Sequence, residues 1–298
     1  MTLNERWERL ALTAHVGAMV FGVAGLVGVL PHPEWVLALP AAGQRLFAWS
    51  MAGGGVVYIL LGALAMVLYG WRVLGPRLLL GFLLPAVMVS LSSELLGTST
   101  GFPFGRYGYL DGLGYKIAGL VPFTIPLSWF YMGLACFVLV YGGLQGLRQR
   151  WLRLAGAVIG GAMLLVAWDL ALDPAMSQTP VPFWQFHEAG AFFGMPYRNL
   201  AGWVGTGALF MTLAAVLWRG QPLVLNRWDL TVPLVMYTVN YLFGAVISLG
   251  LLDRRYWIPI GLGVVLGVIP AFVCWWRAGR RLPPTLALPE LDAVSLVK

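Results

Sequence analysis

Two aspartates, Asp169 and Asp173, stand four residues apart in "LLVAWDLALDPAM", at the end of a long apolar run. Four residues is just over one helical turn, so both carboxyls leave the same helix face. A third acid, Glu94, sits near the end of another apolar run, "SLSSELLG". An Asp at the centre of a bilayer helix costs roughly 2.5–3.5 kcal/mol, and such residues mark function by default. Each acid also has a plain structural reading. Pro174 would stop the helix and leave Asp173 exposed at its end. Asp169 would make a hydrogen bond to a neighbouring helix, and Glu94 would face the interface. Three acids sharing one side favour chemistry over three separate accidents. A carboxyl withdrawn from water favours its neutral form, and a positioned neutral carboxyl is a general acid.

The residues around these acids are unusually aromatic. Tyr107, Tyr109, Trp129, Trp168, Phe193 and Trp203 all fall in or beside the same segments. Some aromatics in these segments belong to the belt that membrane proteins place at the bilayer interface. Aromatic faces also stabilise cations, by about 2 kcal/mol or more in a dry site. A buried acid facing aromatic walls suits protonation of an alkene to a carbocation. Other chemistries are poorly supplied. The three histidines, His15, His32 and His187, are too few for the His boxes of a membrane di-iron enzyme and read as structural. No glycine-rich nucleotide loop and no Cys–His metal spacing is present. The expected cofactor is therefore none, and the expected metal is none.

The elements that must position these residues are membrane helices. Of 298 residues, 59% are hydrophobic and 10% charged, with mean hydropathy +0.79; a soluble chain carries about 25% charged residues. The net charge of +7 is spread in short clusters between apolar spans, which orients a membrane chain and does not suggest nucleic acid. Cys136 and Cys274 both fall inside apolar spans, so no structural disulfide is expected. The pattern predicts an all-α, polytopic transmembrane helix bundle. Its eight spans lie near 10–30, 47–70, 77–96, 122–146, 152–173, 200–218, 229–250 and 256–276. The first apolar run is long enough to be a retained span rather than a signal peptide. Residues 1–276 form a single bundle in this reading, and the proline-rich 277–298 form a flexible tail. With both termini cytoplasmic, 13 basic residues fall inside and 6 outside, as the positive-inside rule requires. The ends carrying Glu94, Asp169 and Asp173 then share the outer face with two long, aromatic loops, 97–121 and 174–199.

A repeat links the two loops. Nine residues separate Glu94 from Pro103 and Asp173 from Pro182, and a Phe follows each proline. Seven residues separate Pro122 from Trp129 and Pro196 from Trp203. A duplicated helix–loop–helix unit would explain both spacings, with two parallel copies facing one cavity.

Two long motifs carry a family resemblance. "ELLGTSTGFPFGRYGYLDGLGYKIAGLVPFTIPLSW" runs from Glu94 to Trp129, and "AWDLALDPAM" with "FFGMPYRNLAGW" lies between Ala167 and Trp203. In these the chain resembles the membrane-embedded carotenoid 1,2-hydratases of bacteria and archaea, which act on lycopene, γ-carotene or C50 precursors. The resemblance covers about a third of the chain closely; the other spans match in hydropathy only. It implies a hydro-lyase of carotenoid biosynthesis in the bacterial cytoplasmic membrane. The enzyme would draw a carotenoid from the lipid phase and add water across its terminal C1–C2 double bond.

On that reading Asp169 or Asp173 is the acid, and the other, or Glu94, orients the water. Trp129, Trp168 and Trp203 line the cation site, and Tyr109 and Phe193 help to bind the substrate. Asn199 and Tyr107 position water. Arg106 and Arg198 either pair with the acids or serve the surface. Three rivals remain open from sequence: a carotenoid cyclase or isomerase using the same protonation, a magnesium-dependent membrane prenyltransferase with Asp169 and Asp173 as its aspartate pair, and a carotenoid-binding or transport protein without catalysis.

Overall fold

The computed structural model describes residues 3–221 and 223–279. Its long helices are α1 (Leu3–Val23), α3 (Ala41–Val73), α4 (Pro76–Thr100), α5 (Thr124–Gly143), α6 (Arg150–Ser177), α7 (Tyr197–Leu217) and α8 (Thr231–Leu251). A short helix, α2 (Pro33–Leu37), follows α1, and the last span joins α9 (Trp257–Gly263) to α10 (Ile269–Ala278). π-helical turns extend α1 over Ala24–Val29 and bridge α9 to α10 over Val264–Val268. Among the described residues, eight helices are long and apolar enough to cross a membrane, and they match the eight expected spans. The chain is an integral membrane protein with an all-α, polytopic bundle. The expected tail begins later than 277, because α10 runs to Ala278; from residue 280 onward it lies outside the described residues.

Hydropathy explains the spans, but burial differs sharply between them. The α5 helix is enclosed on nearly every side and forms the axis of the bundle, with α3, α4, α6, α8 and α10 packed around it. Elsewhere the outward faces are apolar, as contact with lipid demands. The ends of α4 and α6 differ in their stop signals. Gly101 takes φ +83° and ends α4 in a left-handed turn that side chains avoid.

Pro174 does not end α6, contrary to the sequence reading. The helix continues to Ser177 with Pro174 inside it. The next turn is secured by the Ser177 hydroxyl donating to the Asp173 carbonyl at 2.7 Å and by the Gln178 N–H donating to Pro174 O at 3.0 Å. Away from water, a helix that keeps its backbone bonded is favoured over one that frays. Asp173 is therefore a buried interior residue of a helix and not an exposed terminus.

The two long loops meet each other. Strand β1 (Tyr107–Tyr109) of the first pairs antiparallel with β4 (Trp184–Phe186) of the second, Tyr107 opposite Phe186. A smaller hairpin, β2 (Lys116–Ile117) with β3 (Val121–Pro122), returns the first loop to α5. Both loops thus cover the same end of the bundle, as expected. The repeat is visible in three dimensions too. Helix α4 packs on α7 as α6 packs on α5. The repeat-related pair Trp129 and Trp203 stack with ring centroids 4.1 Å apart. Tyr107 and Phe186, each thirteen residues past its acid, face each other in the strand pair. These pairings relate α4 to α6 and α5 to α7, as two copies of one unit would be related.

Candidate active site

Each repeat unit delivers one carboxylate to the same cavity. Glu94 comes from α4 and is 4% exposed; Asp173 comes from α6 and is 2% exposed. Glu94 is held from three directions. The Tyr107 hydroxyl donates to its Oε2, the Tyr109 hydroxyl donates to the same oxygen at 2.8 Å, and Trp129 Nε1 donates to Oε1 at 2.9 Å. Tyr107 reaches it because residue 97, one turn on, is glycine. A Cβ there would lie 2.8 Å from the Phe104 ring and 3.1 Å from the Tyr107 hydroxyl. Burial pushes the phenols of Tyr107 and Tyr109 well above the ordinary tyrosine value, with the Glu94 charge acting in the same direction. Both therefore remain donors across the neutral range.

Asp173 has a different set of partners. Trp184 Nε1, from β4, donates to its Oδ1 at 2.7 Å. The Asn199 side-chain amide, in the first turn of α7, donates to Asp173 Oδ2 and also to Asp169 Oδ2 at 3.2 Å. One amide thus bridges the two aspartates. Their four-residue spacing on α6 makes this possible, since it places both on the face that α7 covers. At the same α6–α7 interface, Asp169 Oδ1, Trp168 Nε1 and Thr206 Oγ1 are buried and have no hydrogen-bond partner among the described residues. Buried polar atoms of this kind are ordinarily satisfied by water.

Glu94 and Asp173 line a single cavity of about 40 Å³. Tyr107, Tyr109, Trp129, Trp184, Trp203 and Asn199 line it too, with Phe104, Phe186, Ile125, Ser128 and Leu172. A cavity needs about 10–15 Å³ of such space per water, so this one has room for a few waters beside two acids. The surrounding rings are packed edge to face and in stacks. Trp168 stands at 84° to Trp203, and Phe104 lies 6.2 Å from Trp129.

Most residues singled out from the sequence converge here, with two corrections. Phe193 does not face the cavity; it packs on Phe192 and Tyr256. Its backbone takes φ +51° in a tight turn, and the ring sits against the start of the last span. Asp169 and Trp168 stand behind the lining, in contact with Asn199 and Trp203, which line it. Arg106 and Arg198 are exposed, and none of the ion pairs among the described residues joins them to an acid. No histidine lines the cavity; His15 instead bonds to the Tyr58 carbonyl and Asn240. The sequence reading missed Phe186, Ser128, Thr206 and the indole of Trp184 as a partner of Asp173. The repeat could have found Phe186, which occupies the place of Tyr107 in the second unit.

Comparison with known proteins bears on the same residues. The bisanhydrobacterioruberin hydratase of Haloarcula japonica is 28% identical over 253 residues, which cover 84% of this chain and 80% of that protein. No solved structure matches the chain. A family model described as carotenoid biosynthesis protein matches residues 54–270, a stretch that holds both repeat units, both loops and every residue of the cavity. The chain belongs to this carotenoid biosynthesis protein family.

Proposed function

We propose that the protein is a carotenoid hydratase, a hydro-lyase that adds water to the terminal C1–C2 double bond of an acyclic carotenoid end of the lycopene or γ-carotene type. The observation that carries this reading is the pairing of Glu94 and Asp173 in one small, aromatic-walled cavity. Two acids lining one small space that can hold water are what an alkene hydration needs. One delivers a proton and the other takes one away.

Asp173 is the acid. Its proton goes to C2, and the electron pair of the double bond leaves a tertiary cation at C1, the more substituted carbon. The faces of Trp129 and Trp203 stabilise that charge. Glu94 accepts a proton from water as the water oxygen bonds to C1, giving a tertiary alcohol. The proton on Glu94 returns to Asp173 through water in the cavity they share, which resets both groups, and Asn199 holds the two aspartates in fixed relation. Atoms balance: one alkene and one water give one alcohol, with no redox change. The likeness to a bisanhydrobacterioruberin hydratase supports the reaction class. The charge bias supports both termini on the cytoplasmic side, with the site at the outer end of the bundle.

Expression in cells that accumulate lycopene tests the reading. Pigments are separated by chromatography and weighed, with growth in ¹⁸O-labelled water. The expected product is heavier by one water, carries the label, and is lost in Asp173→Asn. A product of unchanged mass would replace the hydratase with a cyclase or isomerase. No change with lycopene, γ-carotene or bisanhydrobacterioruberin would end the enzymatic reading.

A further inference from the structure

The cavity is far too small for an isoprenoid end together with the chain that carries it. A second space lies beside it. A groove of about 360 Å³, almost wholly apolar, is formed between α1 and α3. Its floor is glycine: Gly25 in the π-helical turn after α1, and Gly53 and Gly54 on α3. At each of these three a Cβ would meet no protein atom within 4 Å. Packing within the fold does not require glycine there, unlike at Gly97. Yet each glycine weakens a helix relative to alanine. What these residues keep clear is space outside the fold. Trp49 and Phe243 wall that space.

The groove ends one layer of side chains from the carboxylates. Phe183 lines the groove, while Trp184, the next residue, lines the cavity and donates to Asp173. The opposite wall is equally thin. Phe243 lines the groove, its neighbour Gly244 rests on the backbone of Ala171 and Leu172, and Leu172 lines the cavity.

We propose that this glycine-floored groove seats the linear polyene of the substrate, and that Phe183 is the partition its reactive end passes to reach Asp173 and Glu94. The proposal rests on the hydratase reading. A conjugated hydrocarbon is straight, flat and without polar groups. A floor free of side chains, flanked by aromatic rings, gives such a chain continuous dispersion contact. Phe21, Leu46, Trp49 and Val57, all exposed, open the groove to the apolar outer face of the bundle, the side from which a lipid-dissolved substrate would arrive.

The test uses the purified full-length protein in detergent, with lycopene and a ten-carbon acyclic terpene bearing the same terminal isopropylidene group. Gly53→Leu and Gly54→Leu fill the groove without touching protein atoms. Gly205→Leu, at a lipid-facing position of α7 where a Cβ also meets nothing, is the control. Lycopene hydration is expected to fall at least tenfold in both groove variants, with hydration of the short terpene and the control unchanged. Lycopene should also quench Trp49 fluorescence, read as the part lost in Trp49→Phe, and Gly54→Leu should weaken that quenching. Lycopene hydration at the wild-type rate in both groove variants overturns the proposal. So does an equal loss on both substrates with a changed oligomeric mass, which would make the face a contact between copies of the chain. If the wild type hydrates nothing, the hydratase reading fails by itself. The quenching experiment still decides whether a polyene occupies the groove. A smaller filling, Gly54→Ala, with its thermal midpoint measured, keeps the result readable if the leucine variants fold poorly.

Discussion

Glu94 and Asp173 differ in the donors they receive, and the difference fits their proposed division of labour. Glu94 takes two phenols and an indole, three donors on two oxygens, an arrangement that suits an anion. Asp173 shares one amide with Asp169, an arrangement that suits a pair passing a single proton. Removing a general acid or base costs roughly 10²–10⁴ in rate. Glu94→Gln and Asp173→Asn should each fall by that factor in single-turnover hydration assays. Asp169→Asn should lose less. It removes an interaction worth about 1.5–3 kcal/mol, so a tenfold to hundredfold loss in kcat with KM unchanged is expected. Equal losses at all three positions would show that Asp169 meets the substrate directly. The phenols make a separate prediction. Their raised values in the folded state mean that folding favours the protonated form. The stability they contribute is complete below the ordinary tyrosine value of 10.0 and is lost as pH rises through the folded values. Absorbance titration in detergent should therefore show folded wild type and folded Tyr107→Phe/Tyr109→Phe protein releasing the same number of phenols near 10.0, while the two unfolded chains differ by two. Unfolding on further alkalinisation should release them together.

Helices and loops divide the work of building the site, and they differ in how plainly the sequence announces them. The spans were legible because lipid leaves hydropathy as the dominant constraint, and the eight expected runs match eight helices. The repeat was legible from proline and tryptophan spacing, because proline fixes where a loop turns into a helix. The end of α6 was not legible, since local rules place a stop before Pro174 and the surrounding bundle overrides them. Nor could the pairing of β1 with β4 be read, because two three-residue strands have no periodicity to detect. That pairing matters for the site. It brings Trp184 opposite Tyr109, so the donors to Asp173 and Glu94 are held by one another's loops. The loops in turn depend on close approach at α4. Gly97→Ala would put a methyl group 2.8 Å from Phe104 and 3.1 Å from the Tyr107 hydroxyl. The loop must then lift, and Tyr107 must leave Glu94. Gly97→Ala should reduce hydration by at least tenfold, while Gly205→Ala, where the added carbon meets nothing, should leave it unchanged. Equal activity in the two variants would remove Tyr107 from the mechanism.

At the scale of the whole molecule, the pseudo-symmetric four, α4 to α7, hold the carboxylates, while α1 and α3 stand outside the repeat and frame the groove. The attachment of α1 therefore matters to function as well as to folding. Apolar packing alone fixes a membrane helix weakly, because lipid is as apolar as its neighbours. Polar contacts at two depths supply the register. Deeper in the bundle, His15 of α1 bonds to the Tyr58 carbonyl of α3 at 2.7 Å and to Asn240 of α8 at 3.1 Å, and Asn240 accepts from Tyr131 of α5. Near the other end, Arg72 of α3 grips Glu8 of α1 through two bonds of 2.6 and 2.8 Å, and the Glu8 side chain is only 3% exposed. Breaking a buried pair by removing one partner costs about 3–5 kcal/mol, because the other charge stays buried, whereas replacing both by apolar groups is often nearly neutral. Arg72→Met should therefore lower the thermal midpoint in detergent markedly, and Glu8→Leu/Arg72→Met should recover most of the loss. A double variant as unstable as the single one would assign the cost to packing of the arginine stem. Full recovery of stability with hydration of lycopene still impaired would show that the pair sets the position of α1, and with it the width of the groove, beyond holding the helix in place.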